Sequence, residues 1–239
     1  MRTYLVTGAT SGIGKAFIES YADNPEVNFK VIVRNKDKLV HIYNSIKESR
    51  IDVIEADLED VSSLECLLKD KLSSIDGFVY CAGLFDLRTI EKSSYKRFLR
   101  VMNVNFFAFA EICRLLLEQK KDDRSLRIVA MSSMASINPG EFNQMYSASK
   151  AAMDNFVTAL SRQTRGRNIE VNSIQPAFVD TPMTEMLKPF YGDNFDNWIK
   201  SNQPDGLISK DEIVEQVRFL MEKKGHKISG NSIRVNAGI

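Results

Sequence analysis

The stretch TYLVTGATSGIGKAFIESY, residues 3–21, predicts a strand, a glycine turn and a helix in direct succession. Residues 3–7 form an apolar, strand-like run, and Gly8, Gly12 and Gly14 follow it at once. The next apolar residues recur at the three- and four-residue intervals of a helix. Glycines in such a turn let the backbone approach a pyrophosphate group at the positive end of a helix. The stretch therefore predicts a dinucleotide-binding unit, with a purely structural turn as the alternative.

The rest of the chain continues this alternation of strand-like and helix-like segments, which is typical of a doubly wound α/β fold. Further strands are predicted at residues 29–33, 52–56, 77–80, 127–132, 169–174 and 232–236. Further helices are predicted at about 39–46, 61–72, 95–118, 145–165 and, from a capping box of Ser209 and Glu212, 209–221. No repeat or linker divides the chain, so residues 1–239 are predicted to form one Rossmann domain, a three-layer sandwich around a parallel sheet of about seven strands.

Charge and cysteine content exclude several classes of partner. The chain has 32 basic and 31 acidic residues and a net charge of +1, so neither nucleic acid nor a membrane is expected as a partner. No apolar stretch is long enough to cross a bilayer. Three cysteines, an odd number without metal-ligand spacing, favour a reduced, cytoplasmic compartment, and no metal is expected.

The end of the second predicted strand bears on the choice of cofactor. In a doubly wound fold this strand end faces the adenosine ribose, where a carboxylate would bind the 2′-hydroxyl of NAD and an arginine would bind a 2′-phosphate. The sequence there is Val33-Arg34-Asn35, which contains no acidic residue. The pattern favours NADP(H) as the cofactor, and NAD(H) stays possible.

Polar or small residues also mark later positions that matter for a cofactor. Asp57 follows the third strand and either begins a turn or reaches the adenine amino group. Cys81, Ala82 and Gly83 follow the fourth strand, where small side chains would leave room for a cofactor ribose. Asn105 interrupts the apolar side of a long helix, so its amide is either satisfied in the core or part of a site.

Tyr146 and Lys150 are four positions apart in a predicted helix, so their phenol and ammonium groups share one helix face. Alone, such a pair describes an ordinary helix surface. A nearby cation lowers the pKa of a phenol, however, and brings it toward the range of a general acid or base. Ser133, at the end of an apolar strand, would add a hydroxyl that can hydrogen-bond the oxygen atom to which Tyr146 transfers a proton or from which it takes one. The three side chains predict a proton-transfer site.

Taken together, these segments resemble the short-chain dehydrogenase/reductase family over the whole chain, most closely its 3-oxoacyl-acyl-carrier-protein reductase-like members. The resemblance rests on several motifs in the family's order and spacing, which are specific only in combination. They are Thr7-Gly8-x-x-x-Gly12-Ile13-Gly14, Asp57-Leu58, Ala82-Gly83, Asn105, Ser133, Tyr146-x-x-x-Lys150 and Pro176 to Thr181.

The resemblance implies catalytic roles for four residues. Tyr146 would donate a proton in reduction or accept one in oxidation. Lys150 would lower the pKa of that phenol and bind the nicotinamide ribose. Ser133 would hold the substrate carbonyl oxygen and stabilise its developing charge. Asn105 would support a water between Lys150 and bulk solvent.

The resemblance also implies a set of cofactor contacts along the chain. The implied contacts are Gly8, Thr10, Ser11, Gly12, Ile13 and Gly14 in the first turn, Arg34, Asn35, Asp57 and Leu58 near the adenosine, Cys81, Ala82 and Gly83 near the ribose, and Tyr146, Lys150, Pro176, Val179 and Thr181 near the nicotinamide. Two departures from the family pattern, Tyr80-Cys81 for two asparagines and Pro176-Ala177 for Pro-Gly, remove no group that hydride transfer requires.

Residues 183–205 are rich in apolar and aromatic side chains, which predicts either a lid over the substrate or a contact with a second subunit. The apolar sides of the two long helices, residues 95–118 and 145–165, indicate that they pack between subunits, and the resemblance implies a homodimer or homotetramer.

The activity predicted from these observations is hydride transfer between a nicotinamide and a carbonyl or secondary alcohol of a small molecule. Reduction of a 3-oxoacyl thioester or a similar ketone is the first hypothesis. An NAD(P)-dependent alcohol, steroid or sugar dehydrogenase is the alternative. A catalytically silent dinucleotide sensor or scaffold is a further alternative, and it is disfavoured because Asn105, Ser133, Tyr146 and Lys150 are all intact.

Overall fold

The computed structural model describes residues 1–39, 46–121, 123–222 and 227–239, and within these ranges seven strands form one parallel sheet. The strand order is β3-β2-β1-β4-β5-β6-β7, and every neighbouring pair is parallel. The strands are β1 (Arg2–Thr7), β2 (Val27–Val33), β3 (Ile51–Glu55), β4 (Gly77–Tyr80), β5 (Leu126–Met131), β6 (Ile169–Pro176) and β7 (Ser232–Val235).

Helices connect the strands and cover the sheet. The α-helices are α1 (Gly12–Glu19), α2 (Leu64–Leu68), α3 (Tyr95–Met102), α4 (Ala108–Gln119), α5 (Gln144–Gln163), α6 (Pro182–Glu185), α7 (Lys188–Tyr191), α8 (Phe195–Asn202) and α9 (Lys210–Glu222). A π-helical turn, Asn103–Phe107, joins α3 to α4. Short 3-10 turns lie at Lys36–Lys38, Glu48–Arg50, Val61–Ser63, Ile90–Lys92, Met134–Ser136 and Gly192–Asn194.

The sheet is the middle of three layers because its strands send alternate side chains to opposite faces. In β1, Tyr4 and Val6 pack in one buried cluster with α1 and α9. Leu5, between them, packs in the other cluster with α2, α4 and α5. The two clusters lie on the two faces of the sheet, and the predicted doubly wound three-layer fold is confirmed.

The order of the strands determines where a ligand site can lie. The chain runs from β1 to β2 and β3 on one side, then crosses to β4 on the other side of β1. Thr7, the last residue of β1, lies opposite Ile32 of β2 and Tyr80 of β4. Ligands of doubly wound sheets bind at such a reversal, beyond the carboxyl ends of the strands.

Two predicted helices differ from the structure. The helix predicted at 61–72 is a 3-10 turn followed by α2, which ends at Leu68 because Lys69 has a non-helical ψ of 131° and Asp70 has a φ of 60°. The long helix predicted at 95–118 contains the π-helical turn around Asn105.

One helix terminus was predicted in detail. The Ser209 amide donates to Glu212 Oε2 at 2.7 Å, and the Glu212 amide donates to Ser209 Oγ at 3.2 Å. The capping box at the start of α9 is therefore confirmed. Most of the helix predicted at 39–46 lies outside the described residues.

Two features are absent from the described part of the chain. None of the helices in the ranges given above is long and apolar enough to cross a membrane. Those ranges also hold no group of three His, Cys, Asp or Glu side chains arranged to bind a metal ion.

Candidate active site

The glycine turn after β1 lies directly against the end of β4. Gly8 has a φ of +67°, and a Cβ added to it would lie 2.7 Å from the Cys81 carbonyl carbon. The Ala82 amide donates to Thr7 Oγ1 at 3.1 Å, so the ends of β1 and β4 are tied together. Gly14 packs beneath the turn, where an added Cβ would lie 2.5 Å from the Gly8 carbonyl oxygen. This close approach of two backbones is the reason that the turn requires glycine.

A cleft of about 420 Å³ opens above this turn. Most of the residues that the sequence assigns to a cofactor line it together. They are Gly8, Thr10, Ser11, Gly12, Ile13, Arg34, Asp57, Leu58, Cys81, Ala82, Gly83, Tyr146, Lys150, Pro176, Val179 and Thr181, with Ser133 beside them. Three predicted residues do not line the cleft. Gly14 supports the turn from below, Asn105 lies behind Leu84, and the Asn35 side chain caps a 3-10 turn by accepting from the Asp37 amide at 2.8 Å.

Two arginines line the cleft, of which the sequence indicated only one. Arg34 is exposed, and none of the described residues forms an ion pair with it. Arg100, on α3, is paired with Glu59 at 2.9 Å. Asp57 Oδ1 accepts from the Glu59 amide at 3.0 Å, so this carboxylate begins a turn while it lines the cleft. Arg100 lies on the helix surface at a long sequence distance from the turn, and no local motif marks it.

Tyr146 lies in the first turn of α5, buried beside Ser133. Ser133 caps the turn after β5 by accepting from the Ala135 amide at 3.1 Å. Burial raises the pKa of Tyr146, and a hydrogen bond with Ser133 opposes that rise. Burial is the larger of these two effects on the phenol, and the lowering of its pKa that the resemblance implies for Lys150 stays a prediction.

Lys150 is turned toward the sheet. Its Nζ donates to the Met131 carbonyl at 2.7 Å, at the end of β5, and lies 5.7 Å from the centroid of the Tyr146 ring. Burial lowers the pKa of Lys150 to about 8, and the nearby Asp154 and Cys81 oppose that shift. The ammonium is thus held by a backbone carbonyl on one side and lines the cleft on the other.

Cys81 occupies the end of β4 in the same cleft. Burial raises the pKa of its thiol to about 12, with a small opposing effect of Lys150. A thiol with so high a pKa is a poor nucleophile at neutral pH. This environment favours a packing role for Cys81 over a nucleophilic one.

Asn105 is fully buried in the π-helical turn. Its Nδ2 donates to the Leu84 carbonyl at 3.1 Å and to Ser149 Oγ at 2.9 Å, and its Oδ1 accepts from the Leu84 amide at 2.7 Å. The amide is therefore a satisfied core group that fastens the loop after β4 to α5. Its implied role toward a water near Lys150 is not tested by these bonds.

A second, larger cavity of about 800 Å³ adjoins the cleft. Ser133, Tyr146, Ala177, Met183 and Thr184 line both spaces. The Phe85 ring meets the Tyr146 ring edge-on, with centroids 4.9 Å apart. Most of the remaining wall is apolar or aromatic and includes Leu87, Phe142, Phe178, Leu187, Phe190, Tyr191 and Trp198. The phenol and the serine hydroxyl thus lie at the junction of the cleft and a mainly apolar cavity.

Comparison with known proteins identifies the family. Residues 2–191 match the family model described as short chain dehydrogenase. The chain belongs to this family and is an oxidoreductase, so the resemblance drawn from the motifs is confirmed. It is 27% identical to a 3-oxoacyl-acyl-carrier-protein reductase of Haemophilus influenzae, with 98% of this chain and 96% of the relative covered. It is 28% identical to the reductase of that name in Thermotoga maritima, with 98% and 96% covered.

Solved structures share the fold. A short-chain dehydrogenase/reductase from Brucella melitensis, named as a glucose/ribitol dehydrogenase, superposes with a TM-score of 0.87 at 27% identity, with 99% of this chain and 96% of that chain covered. A 4-hydroxyisoleucine dehydrogenase complexed with NADH superposes with a TM-score of 0.89 at 24% identity, with 100% and 98% covered.

Proposed function

We propose that the chain is an NADP(H)-dependent reductase that transfers hydride to the carbonyl carbon of a 3-oxoacyl thioester or a similar ketone. The observation that carries this proposal is the position of Tyr146 and Ser133, which line both the cleft and the larger cavity. A carbonyl group held between the two spaces would contact both hydroxyls. The names of the two bacterial relatives support the 3-oxoacyl substrate.

The cleft suits a dinucleotide in its chemistry. Helix α1 begins at Gly12 in the lining, and its N-cap Ser11 makes no side-chain capping bond, so the positive end of the helix is left for a phosphate. Residues 8 and 10–13 would hold the pyrophosphate, and Val179 and Thr181 would hold the nicotinamide amide. A nicotinamide dinucleotide bound there would supply the hydride.

Tyr146 supplies the proton in this proposal. Its raised pKa keeps the phenol protonated at neutral pH, which is the state that a proton donor in reduction requires. The Ser133 hydroxyl would donate to the same carbonyl oxygen and stabilise the negative charge that develops there. Lys150 lines the cleft next to the phenol and would bind the nicotinamide ribose.

The test of the proposed function is a panel of ketones with both cofactors. Loss of nicotinamide absorbance is followed with NADPH and with NADH for an acetoacetyl thioester, simple ketones and ketoses, and oxidation is followed with polyols. We expect the highest kcat/KM for the acetoacetyl thioester with NADPH. Preferred oxidation of a polyol would instead favour the dehydrogenase alternative, which the name of the similar Brucella melitensis protein suggests.

The choice of NADP(H) rests on Arg34, and Arg34→Asp tests it. The variant should weaken NADPH binding by roughly 10- to 100-fold relative to NADH, because a charge-assisted bond to the 2′-phosphate is lost and a repulsive carboxylate replaces it. Fluorescence titration gives the dissociation constants of both nucleotides.

Arg100→Gln is the matched control for Arg34→Asp. Arg100 lines the same cleft but is already paired with Glu59. Arg100→Gln should therefore change the affinities for NADPH and for NADH by similar factors. An unchanged ratio of NADPH to NADH affinity in Arg34→Asp would remove the basis for the cofactor preference.

We propose that residues 183–205 act as a lid. Met183 and Thr184 line both cavities, and further residues of the segment line the larger one. The segment has a small apolar core of its own around Leu187, Phe195 and Ile199. A segment that has a small apolar core and roofs the substrate cavity is the arrangement expected of a lid.

We also propose that the chain forms a homodimer or homotetramer through α3 and the π-helical turn. Tyr95, Leu99 and Phe107 are 74%, 38% and 41% exposed, and such clustered apolar exposure is typical of a subunit contact. Light scattering should give at least twice the mass of one chain. The double variant Leu99→Glu and Phe107→Glu should shift the mass toward the monomer, and a monomeric wild type would contradict the proposal.

We assign the protein to a reducing, cytoplasmic compartment. Cys66 is exposed, Cys81 is half-buried and Cys113 is buried, and all three are free thiols. An exposed free thiol persists best where the cytosolic thiol systems keep it reduced.

A further inference from the structure

Asp154 lies one helical turn after Lys150 on α5, and three polar side chains converge on its carboxylate. Ser173 Oγ donates to Oδ1 at 2.6 Å. Ser132 Oγ and Gln175 Nε2 donate to Oδ2 at 2.9 and 2.8 Å. All three donors are buried. Both oxygens of the carboxylate therefore accept hydrogen bonds from buried side chains, two from β6 and one from the residue after β5.

This network is continuous with the residues of the site. The Met131 carbonyl accepts from Lys150 Nζ, and the next residue, Ser132, donates to Asp154. Ser132 Oγ also lies 3.4 Å from the Lys150 carbonyl oxygen, and Ser133 follows it directly. The end of β5 therefore holds the ammonium of Lys150, the carboxylate of Asp154 and the hydroxyl beside Tyr146.

Lys150 is a buried cation, and a buried cation is stable only when a nearby negative charge or dipole balances it. Among the residues that the structure describes, the titratable groups that face it are Tyr146 and Asp154 on its own helix and Cys81 at the end of β4. At neutral pH the phenol and the thiol are uncharged, because burial raises the pKa of both. Of these facing groups, Asp154 is the carboxylate, and it is the larger of the two that raise the pKa of Lys150 against the effect of burial.

We propose that Asp154 is a positioning residue, whose carboxylate keeps the buried Lys150 charged and fixes the helix turn that carries Lys150 to the ends of β5 and β6. The proposal rests on the proposed function for its catalytic consequence, but the charge of Lys150 can be measured without turnover. A purely structural role would fasten α5 to β6 through the same hydrogen bonds and leave the titration of Lys150 unchanged.

Asp154→Asn separates the charge from the hydrogen bonds. The amide oxygen can still accept from Ser132 and Gln175, and the amide nitrogen can donate to Ser173 Oγ. The pKa of Lys150, about 8 in the native chain, is raised by the Asp154 carboxylate, so removing that charge makes Lys150 lose its proton at lower pH. We expect a shift of about one pH unit.

The shift is measured directly by NMR titration of 13C-labelled lysine in the folded protein, with the Lys150 resonance assigned by its absence in Lys150→Met. In the kinetic assay, the pH at which kcat falls on the alkaline side should be lower by the same amount, about one pH unit. The variant should then be nearly as active as the native enzyme at pH 6 and roughly fivefold slower at pH 8.

Ser173→Ala is the matched control, because it removes one hydrogen bond to the carboxylate and keeps the charge. It should lower the melting temperature and leave the Lys150 titration and the pH profile in place. An unshifted Lys150 in Asp154→Asn, or an equal shift in Ser173→Ala, would overturn the proposal.

A double variant keeps the test decisive if Asp154→Asn does not fold. If the two charges balance each other, Lys150→Met with Asp154→Asn should fold and be more stable than the single variants predict in sum. If the double variant is unfolded as well, the carboxylate serves only to fasten the helix and the proposal fails. Absence of ketone reduction by the native enzyme would count against the proposed function alone, since the NMR titration does not depend on it.

Discussion

Replacing Tyr146 with phenylalanine is expected to lower kcat by roughly 10²- to 10⁴-fold while nucleotide affinity is kept. The phenol is the buried proton donor at the junction of the two cavities, and phenylalanine keeps the ring that packs against Phe85. The loss should therefore fall on proton transfer rather than on folding. Single-turnover oxidation of bound NADPH with saturating ketone measures the step, and fluorescence titration measures nucleotide binding.

Tyr191→Phe is the control for this experiment. Tyr191 also lines the larger cavity, where its ring stacks on Trp198 with centroids 4.1 Å apart. Tyr191→Phe also removes a phenol hydroxyl from the lining of the larger cavity, so a general effect of lost polarity would appear in both variants. We expect kcat of Tyr191→Phe within about threefold of the native value, which corresponds to less than about 0.7 kcal/mol in the barrier. Near-native turnover in Tyr146→Phe would refute the proton-transfer role.

The elements that could be predicted from sequence are those set by local pattern. The strand, turn and helix at residues 3–21 follow from an apolar run, three glycines and apolar residues at helical spacing, and β4 at Gly77–Tyr80 has the predicted bounds. The capping box of Ser209 and Glu212 is likewise a contact within one helical turn. Such features depend on residues close in sequence, so a single chain is enough to reveal them.

The end of α2 could not be predicted because it depends on a distant residue. Leu68 and Leu72 have helical spacing, yet the helix stops and the Leu72 amide donates to Gln119 Oε1, on α4, at 2.9 Å. The Gln119 Nε2 donates to the Leu68 carbonyl at 3.2 Å. A side chain from another helix thus replaces the hydrogen bonds that one more turn would have made.

The same limit applies to the chemistry of the site. The spacing of Tyr146 and Lys150 predicted that they share a helix face, and both line the cleft. The direction of the ammonium is set by the carbonyl of Met131 on a separate strand, and the pKa of the phenol is set mainly by burial. Asp154 could have been found from its position four residues after Lys150, but its three donors come from β6 and the end of β5.

Gly8→Ala is expected to destabilise the fold and abolish nucleotide binding. The new Cβ would lie 2.7 Å from the Cys81 carbonyl carbon and 2.8 Å from the Ala82 nitrogen, and neither backbone atom can move without breaking the Ala82–Thr7 hydrogen bond. The φ of +67° adds the cost of a left-handed backbone. The two effects together should cost about 2–5 kcal/mol in the free energy of unfolding. Urea denaturation measures the free energy of unfolding, and NADPH titration measures nucleotide binding in the cleft.

Gly166→Ala isolates the backbone part of that effect. Gly166 has a φ of +77°, and a Cβ added there would meet nothing within 4 Å. This variant should therefore lose only the left-handed backbone cost, about 1–2 kcal/mol, and bind NADPH with native affinity. Both glycines have a left-handed backbone conformation. The difference in stability between the two variants therefore measures the steric contact of the turn with the end of β4. Equal destabilisation, with nucleotide binding kept in both, would mean that the close approach of β1 and β4 does not shape the cleft.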